Sequence, residues 1–236
     1  MNKPFHVRAN PQAVAHAAAV RMAEWLSTAI EIEGTAKLAI SGGSTPKLMF
    51  QELAKREDIR WPAVHLYWVD ERCVAPSDEQ SNYRVALEHL IQPAGIPAQN
   101  VHRIEGELSP THAAADYAER IGGVEFDVVH CGMGDDGHTA SLFPGDKDNI
   151  EDRELTTAAV FAPKAPNWRV TLLPRALLSA ANVMMLVTGG DKAAMLNTVL
   201  TGEYNPVRYP AQLLARESKH VEWFLDEAAA AQTARV

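Results

Sequence analysis

Asp136 and His138 stand two residues apart in GMGDDGHTASLFPG, residues 132–145, directly after the apolar run FDVVHC. A carboxylate that holds one imidazole nitrogen fixes the tautomer and leaves the other nitrogen to accept a proton. An imidazole of ordinary pKa, about 6.5, is already a usable base at neutral pH. The flanking glycines predict a tight turn that presents the ring at a strand end. Asp136 is the stronger partner candidate and Asp135 the weaker. A histidine at a turn also serves a purely structural role, and the residues alone leave both roles open. Serine hydrolysis finds no support, because GxSxG is absent and Ser141 follows His138 too closely for a triad. Zinc hydrolysis finds none either: there is no HExxH, and His138 has no second histidine at ligand spacing. Direct activation of water by a base is the simpler design.

Two further loops carry chemistry. SGGSTPK, residues 41–47, supplies Gly42, Gly43, Ser44 and Thr45 between a strand-like run and a helical one. Small residues allow close backbone approach, hydroxyls donate, and a helix N-terminus favours an anion. The loop matches neither GxxxxGK[ST] nor GxGxxG. It reads either as a phosphate cradle or as an ordinary turn with a Ser/Thr cap. WVDERCVAPSDEQSNY places Asp70, Glu71 and Arg72 at a strand end, followed by a polar loop that reaches Asn82. Arg72 suits a bidentate contact with a phosphate or carboxylate. Asp70 then orients Arg72 or accepts from a sugar hydroxyl. The alternative is a self-neutralised surface turn, although long polar connections in compact domains are often binding loops.

These loops need a scaffold that brings them to one edge. Strand-like runs of FHVRA, AKLAIS, VHLYWVD, VHRI, FDVVHCG, AAVFA, RVTLL, NVMMLVTG and HVEWFLD punctuate the chain. Helical spacing falls at residues 11–32, 46–56, 81–90, 110–121 and 191–200. In the first of these, Asn10 is the expected N-cap, Pro11 fits the first turn, and Val14, Ala18, Met22, Trp25, Leu26 and Ile30 share a face. The alternation predicts an α/β fold with a largely parallel sheet covered on both faces. In such sheets ligand sites collect beyond the carboxyl ends of the strands, where all three loops lie. The alanine-rich end, DEAAAAQTA, reads as a fraying terminal helix.

Composition narrows the partners. The 236 residues carry a formal net charge of −8 and are 47% hydrophobic. That balance argues against nucleic acid or an anionic membrane as a main partner. Cys73 and Cys131 lack CxxC spacing, so a reducing compartment without a disulfide framework or zinc site is expected. With no apolar signal core and no run approaching about 18 apolar residues, a cytoplasmic protein is expected.

Taken together, SGGSTP, DERCV…SN and GMGDDGHTASLFPG resemble the motifs of the 6-phosphogluconolactonase family in order and separation. RVTLLPRAL and VTGGDKA resemble two further segments of that family, and the likeness runs over about residues 10–226. The resemblance implies a three-layer α/β/α sandwich with a mostly parallel, Rossmann-like sheet, as one domain over residues 1–236. It implies hydrolysis of 6-phospho-D-glucono-1,5-lactone to 6-phosphogluconate in the oxidative pentose phosphate pathway, with no cofactor or catalytic metal. By the same resemblance His138 is the general base, Asp136 its orienting partner, and residues 42–45 the phosphate-facing turn. Asp70 and Asn82 join the substrate site. Arg72, Arg169 and Lys192 hold the phosphate and carbonyl region, although outside this pattern Arg169 and Lys192 read as surface charge. The partner implied is a phosphorylated sugar lactone, bound by a monomer or homodimer. Ala75 departs mildly from the family, which often has proline there. The nearest rival, a glucosamine-6-phosphate deaminase, has a glutamate in a segment resembling FNEPG, where this chain reads SLFPG with Phe143. A non-catalytic sugar-phosphate sensor would usually need a DNA-binding domain, for which the chain has neither spare length nor a basic patch.

Overall fold

The computed structural model describes residues 4–233. The chain runs through β1 (Phe5–Arg8), α1 (Pro11–Glu33), β2 (Ala36–Ile40), α2 (Ser44–Leu53) and β3 (Val64–Trp68). A short β4 (Asp70–Arg72) precedes α3 (Asn82–Ala86), which continues through a π-helical stretch, Leu87–Ile91, into α4 (Gln92–Ala94). Then come β5 (Val101–His102), α5 (Pro110–Ile121), β6 (Val128–Cys131), α6 (Lys147–Glu151), β7 (Thr157–Phe161) and β8 (Trp168–Leu172). The last elements are α7 (Pro174–Leu177), β9 (Asn182–Val187), α8 (Ala193–Thr201), α9 (Ala211–Glu217) and β10 (Val221–Asp226).

Local signals place α1 as expected. The Asn10 side chain accepts from Ala13 N at 2.9 Å, Pro11 opens the first turn, and Gly34 ends the helix at φ 82°. Val14, Ala18, Met22, Trp25, Leu26 and Ile30 are all buried. They pack in the same core as the apolar strand residues.

Seven strands form one sheet in the order β1-β10-β9-β6-β2-β3-β5, and every pairing in it is parallel. Helices flank it in a three-layer α/β/α arrangement. Continuous apolar runs such as NVMMLV suit strands covered on both faces. From β2 the chain steps outward to β3 and β5, then returns to place β6 on the other side of β2. The strand order therefore reverses between β2 and β6, where an open parallel sheet forms its ligand crevice.

One expected loop is a strand. Asp70–Arg72 pairs antiparallel with β8, and β7 completes a second sheet of order β4-β8-β7. Val69 makes the switch: its N–H donates to Ile40 O at 2.9 Å, and its carbonyl accepts from Leu172 N at 2.7 Å. Charged residues have low strand propensity, which this tertiary pairing overrides. The helices α6, α7 and α9 were not expected; with 5, 4 and 7 residues they are too short to display a period. The expected terminal helix is a single 3-10 turn, Ala229–Gln232, with Ala229 buried, and position 234 lies outside the described residues. Among the described residues no helix is long and apolar enough to cross a membrane, and Cys73 and Cys131 are both unpaired.

Candidate active site

The loop after β6 folds back on itself. Gly134 N donates to His138 O at 2.9 Å, and Gly137, at φ 84°, turns the chain between them. The ring of His138 lies directly over Gly134, where a Cβ would stand 2.1 Å from Nδ1. The two-residue spacing has a simple cause: an aspartate side chain readily bonds the backbone two residues on. Asp136 Oδ1 accepts from His138 N at 3.0 Å and also meets His138 Nδ1 at 2.6 Å. Burial works to raise the Asp136 pKa, but the bonds from the His138 ring and backbone outweigh it and hold it at about 2. The ionised carboxylate only accepts, so Nδ1 carries the proton and Nε2 is left as acceptor. Asp135 is not involved; it pairs with Lys164 at 3.7 Å.

Ser141 ties this loop to β4. Its hydroxyl donates to Asp70 Oδ2 at 2.7 Å and its N–H to Thr171 Oγ1 at 3.1 Å. Between these anchors and the bond from Thr139 Oγ1 to Gly132 O, Ala140 is held at φ 50°. A non-glycine residue there costs free energy, and such positions concentrate at functional sites.

The β4–β8 register sets Arg72 directly opposite Arg169, and Asp70 opposite Thr171. Like charges facing across an antiparallel pair are destabilising. Arg169 is only 9% exposed, yet neither arginine forms an ion pair among the described residues. Burial and the nearby Arg72 charge lower the Arg169 pKa. Arg72 Nη1 donates to Gln80 O at 2.6 Å, while its Nε is buried without a partner. Phe143 bridges the two halves of the site, its ring 4.8 Å from that of His138 and 5.7 Å from the Arg169 guanidinium carbon. The expected orienting of Arg72 by Asp70 is not found. The Asp70 oxygens are occupied by Ser141 Oγ and by Asn82 Nδ2 at 3.3 Å, because Asp70 braces the loops from below.

The third loop leads from β2 into α2. Gly42 lies against the Asn82 amide, where a Cβ would come 2.0 Å from Oδ1. Gly43, at φ 121°, is the N-cap of α2, and no side chain caps the helix. The Ser/Thr-cap alternative is therefore not what forms. Instead Thr45 Oγ1 bonds Thr188 Oγ1 at 2.7 Å, joining this loop to the one after β9. Asp226 fixes that second loop by accepting from Gly189 N at 3.0 Å. Lys192 lies on it, paired with Asp191 at 2.8 Å.

These elements enclose a cavity of about 160 Å³ at the β2/β6 crevice. Of the expected residues, Gly42, Asp70, Arg72, Asn82, His138 and Arg169 line it. Gly43, Ser44, Thr45 and Lys192 do not; they sit at the adjoining α2 N-terminus and β9 loop, and Asp136 stands behind His138. A larger groove of about 1020 Å³, beside α1 and β10, contains none of them. Sequence reasoning missed Glu71, which is 2% exposed and accepts from Arg72 N, Asn82 N, Tyr83 N and Ser81 Oγ. Burial pushes its pKa up against those four donors, and it pins the Asn82 end of the site. Its only sequence signal is its place inside DER, which a surface turn would share.

A family model described as glucosamine-6-phosphate isomerases/6-phosphogluconolactonase matches residues 9–223. The 6-phosphogluconolactonase of Haemophilus influenzae is 39% identical over 199 residues, covering 81% of this chain and 85% of that protein. The crystal structure of a 6-phosphogluconolactonase from Shewanella baltica superposes with a TM-score of 0.87 at 30% identity, over 95% of this chain and 98% of that one. A monomeric glucosamine-6-phosphate deaminase superposes with a TM-score of 0.85 at 18% identity, over 97% of this chain and 99% of that one, a likeness of fold alone.

Proposed function

The chain belongs to the glucosamine-6-phosphate isomerase/6-phosphogluconolactonase family, and from that premise we propose that it hydrolyses 6-phospho-D-glucono-1,5-lactone to 6-phosphogluconate. It is an enzyme that opens a lactone, and His138 is the general base. The observation that carries this reading is His138 held by Asp136 at 2.6 Å in the wall of a cavity that also contains two arginines without ion pairs among the described residues.

A six-membered lactone is an activated ester, so the enzyme needs a positioned water, a base and stabilisation of the developing oxyanion. His138 Nε2 takes one proton as water oxygen bonds to the lactone carbonyl carbon. The tetrahedral intermediate then collapses, the bond from that carbon to the ring oxygen breaks, and the imidazolium returns the proton to the leaving oxygen. The product acid loses its own proton to solvent. No covalent intermediate is required. Arg72 and Arg169 face the substrate's negative charge, and the uncapped N-terminus of α2 suits its phosphate. Phosphate binding far from the reacting carbon supplies orientation. Phe143 argues against deaminase chemistry, since a buried phenyl ring in contact with His138 and Arg169 occupies the segment where that activity uses a carboxylate.

The test is pH-stat hydrolysis of freshly prepared lactone. The protein is expected to accelerate it far beyond the buffer rate, and His138→Ala to lower kcat by about 10²–10⁴-fold with little change in KM. A folded protein that leaves the buffer rate unchanged would overturn the assignment.

A further inference from the structure

His130 has no part in the chemistry above, yet it is fully buried in β6 among Val128, Val129 and Cys131. Its ring meets Phe50 of α2 edge to face, with centroids 6.4 Å apart. Burial pulls its pKa down to about 3, so the ring is neutral near pH 7. Nδ1 lies 3.3 Å from Ser41 N. A backbone amide only donates, so Nδ1 is the acceptor and Nε2 carries the proton. That Nε2 is buried without a hydrogen-bond partner. An orphan donor in the core costs free energy that a leucine of similar volume would not incur. Something must offset it, and among the described residues the Ser41 bond is the one polar contact the ring makes.

The sheet explains why that bond is needed. Main-chain pairing of β2 with β6 is confined to Leu38↔Val128 and Ala39↔Val129. Beyond that point the two strands part to open the crevice, and the backbone of β6 no longer serves Ser41. The His130 ring reaches across instead. Ser41 and Gly42 both line the cavity, and Gly42 has no room to move toward Asn82.

We propose that His130 is a positioning residue, which fixes the Ser41–Gly42 backbone so that the turn into α2 is set to receive the phosphate of the substrate. This rests on the reading of that turn as the phosphate-facing part of the site.

Three measurements test it. In ¹⁵N-labelled wild-type protein, the Ser41 amide is expected to show a through-hydrogen-bond nitrogen–nitrogen coupling to His130 Nδ1, and inorganic phosphate is expected to shift the Ser41 and Gly42 amides. A missing coupling or unmoved amides would overturn the proposal without any variant. His130→Leu removes the acceptor, whereas His130→Asn keeps an oxygen near the Nδ1 position. The leucine variant should raise KM for the phosphorylated lactone and Kd for inorganic phosphate roughly three- to tenfold. Its kcat, and its hydrolysis of unphosphorylated glucono-1,5-lactone, should stay within about twofold of wild type, and the asparagine variant should recover most of the loss. Equal losses on both lactones, or an asparagine variant no better than leucine, would overturn the role. A wild type that binds phosphate and shows the coupling, but does not open the lactone, would refute the assigned reaction and leave His130 as a positioning residue.

Discussion

Asp136→Asn separates the base from the group that orients it. One oxygen, Oδ1, serves both the backbone N–H of His138 at 3.0 Å and ring Nδ1 at 2.6 Å. Asparagine keeps the shape, but its side chain offers an oxygen on one arm and an NH₂ on the other. If the oxygen takes the Oδ1 position, both bonds survive and only the charge is lost. If the NH₂ takes it, the bond from the backbone N–H is lost and Nδ1 becomes the acceptor; Nε2 then holds the proton, and the base faces water in the wrong tautomer.

The loss has two parts. The Asp136 carboxyl falls from 3.8 to about 2, which bounds its ionic interaction with the site at about 2.5 kcal/mol. The side chain is 38% exposed, and solvent screening reduces that bound to about 1 kcal/mol, or roughly fivefold in rate. Where the NH₂ faces the ring the tautomer adds to this, because general-base help is worth about 10²–10⁴-fold. Asp136→Asn should therefore lower kcat by about fivefold if Nδ1 keeps its proton and by on the order of 10²–10³-fold if it does not, with KM within about threefold in either case. Steady-state pH-stat kinetics on fresh lactone read the rate, and the ¹⁵N shifts of the His138 ring read the tautomer. A folded variant with kcat within about threefold of wild type would refute the coupling of carboxylate to base.

Gly134→Ala should act on the same ring by steric means, since its Cβ would stand 2.1 Å from His138 Nδ1 and 2.7 Å from Asp136 Oδ1. A drop in kcat of about 10²-fold is expected, with far-UV circular dichroism unchanged, and normal turnover would contradict the packing. Arg169→Met removes one of two opposed cations. The ligand-free protein should melt no more than about 2 °C below wild type, while Kd for inorganic phosphate rises about tenfold or more in calorimetric titration. A fall in Tm beyond about 5 °C would make Arg169 structural. Glu222, 2% exposed, meets Arg21, His6 and His220 at 2.7, 2.8 and 2.9 Å. Burial opposes its ionisation, but bonds from Arg21, His220 and His6 outweigh this and depress its pKa from 4.5 to about 2. Its contribution is therefore fully present above the unfolded-state value and is lost as pH falls toward 2. Glu222→Gln should cost about 3 kcal/mol at pH 7 and roughly half that at pH 3 in urea titrations. A gap that is constant with pH would refute the linkage.

The loops of the site are legible in the sequence because they use residue types that packing alone would not select. His138 between glycines, Ser44 and Thr45 at a helix start, and Arg72 after an apolar strand all announce themselves locally. The long helix α1 is legible for a related reason, since cap, proline and apolar face all agree. What escapes is whatever depends on register. Arg72 meets Arg169 only because β4 pairs antiparallel with β8. Glu71 acts through its neighbour Arg72 and the far end of the same loop, and Ser141 through Asp70, 71 positions back, and no local pattern signals those partners.

That division bears on how the site works. Among the described residues six buried side-chain polar atoms lack hydrogen-bond partners; Arg72 Nε, Asn82 Oδ1 and His130 Nε2 lie in or beside the same crevice, and Trp68 Nε1, Trp223 Nε1 and Ser218 Oγ are the others. Two guanidiniums oppose each other there, Ala140 is held at φ 50°, and α2 begins without a side-chain cap. Each of these costs stability on its own. An anionic, hydroxyl-rich ligand answers several at once: it neutralises the paired arginines and supplies acceptors to the free helix N–H groups. Arg72→Met, which removes one of the two opposed cations and the buried unpartnered Nε, should then leave the empty protein about as stable as wild type in urea titration while weakening the ligand. Two opposed arginines, an alanine at positive φ and unpartnered polar atoms around one cavity are what a ligand would offset, and their concentration there supports reading the crevice as a binding site rather than a gap between strands.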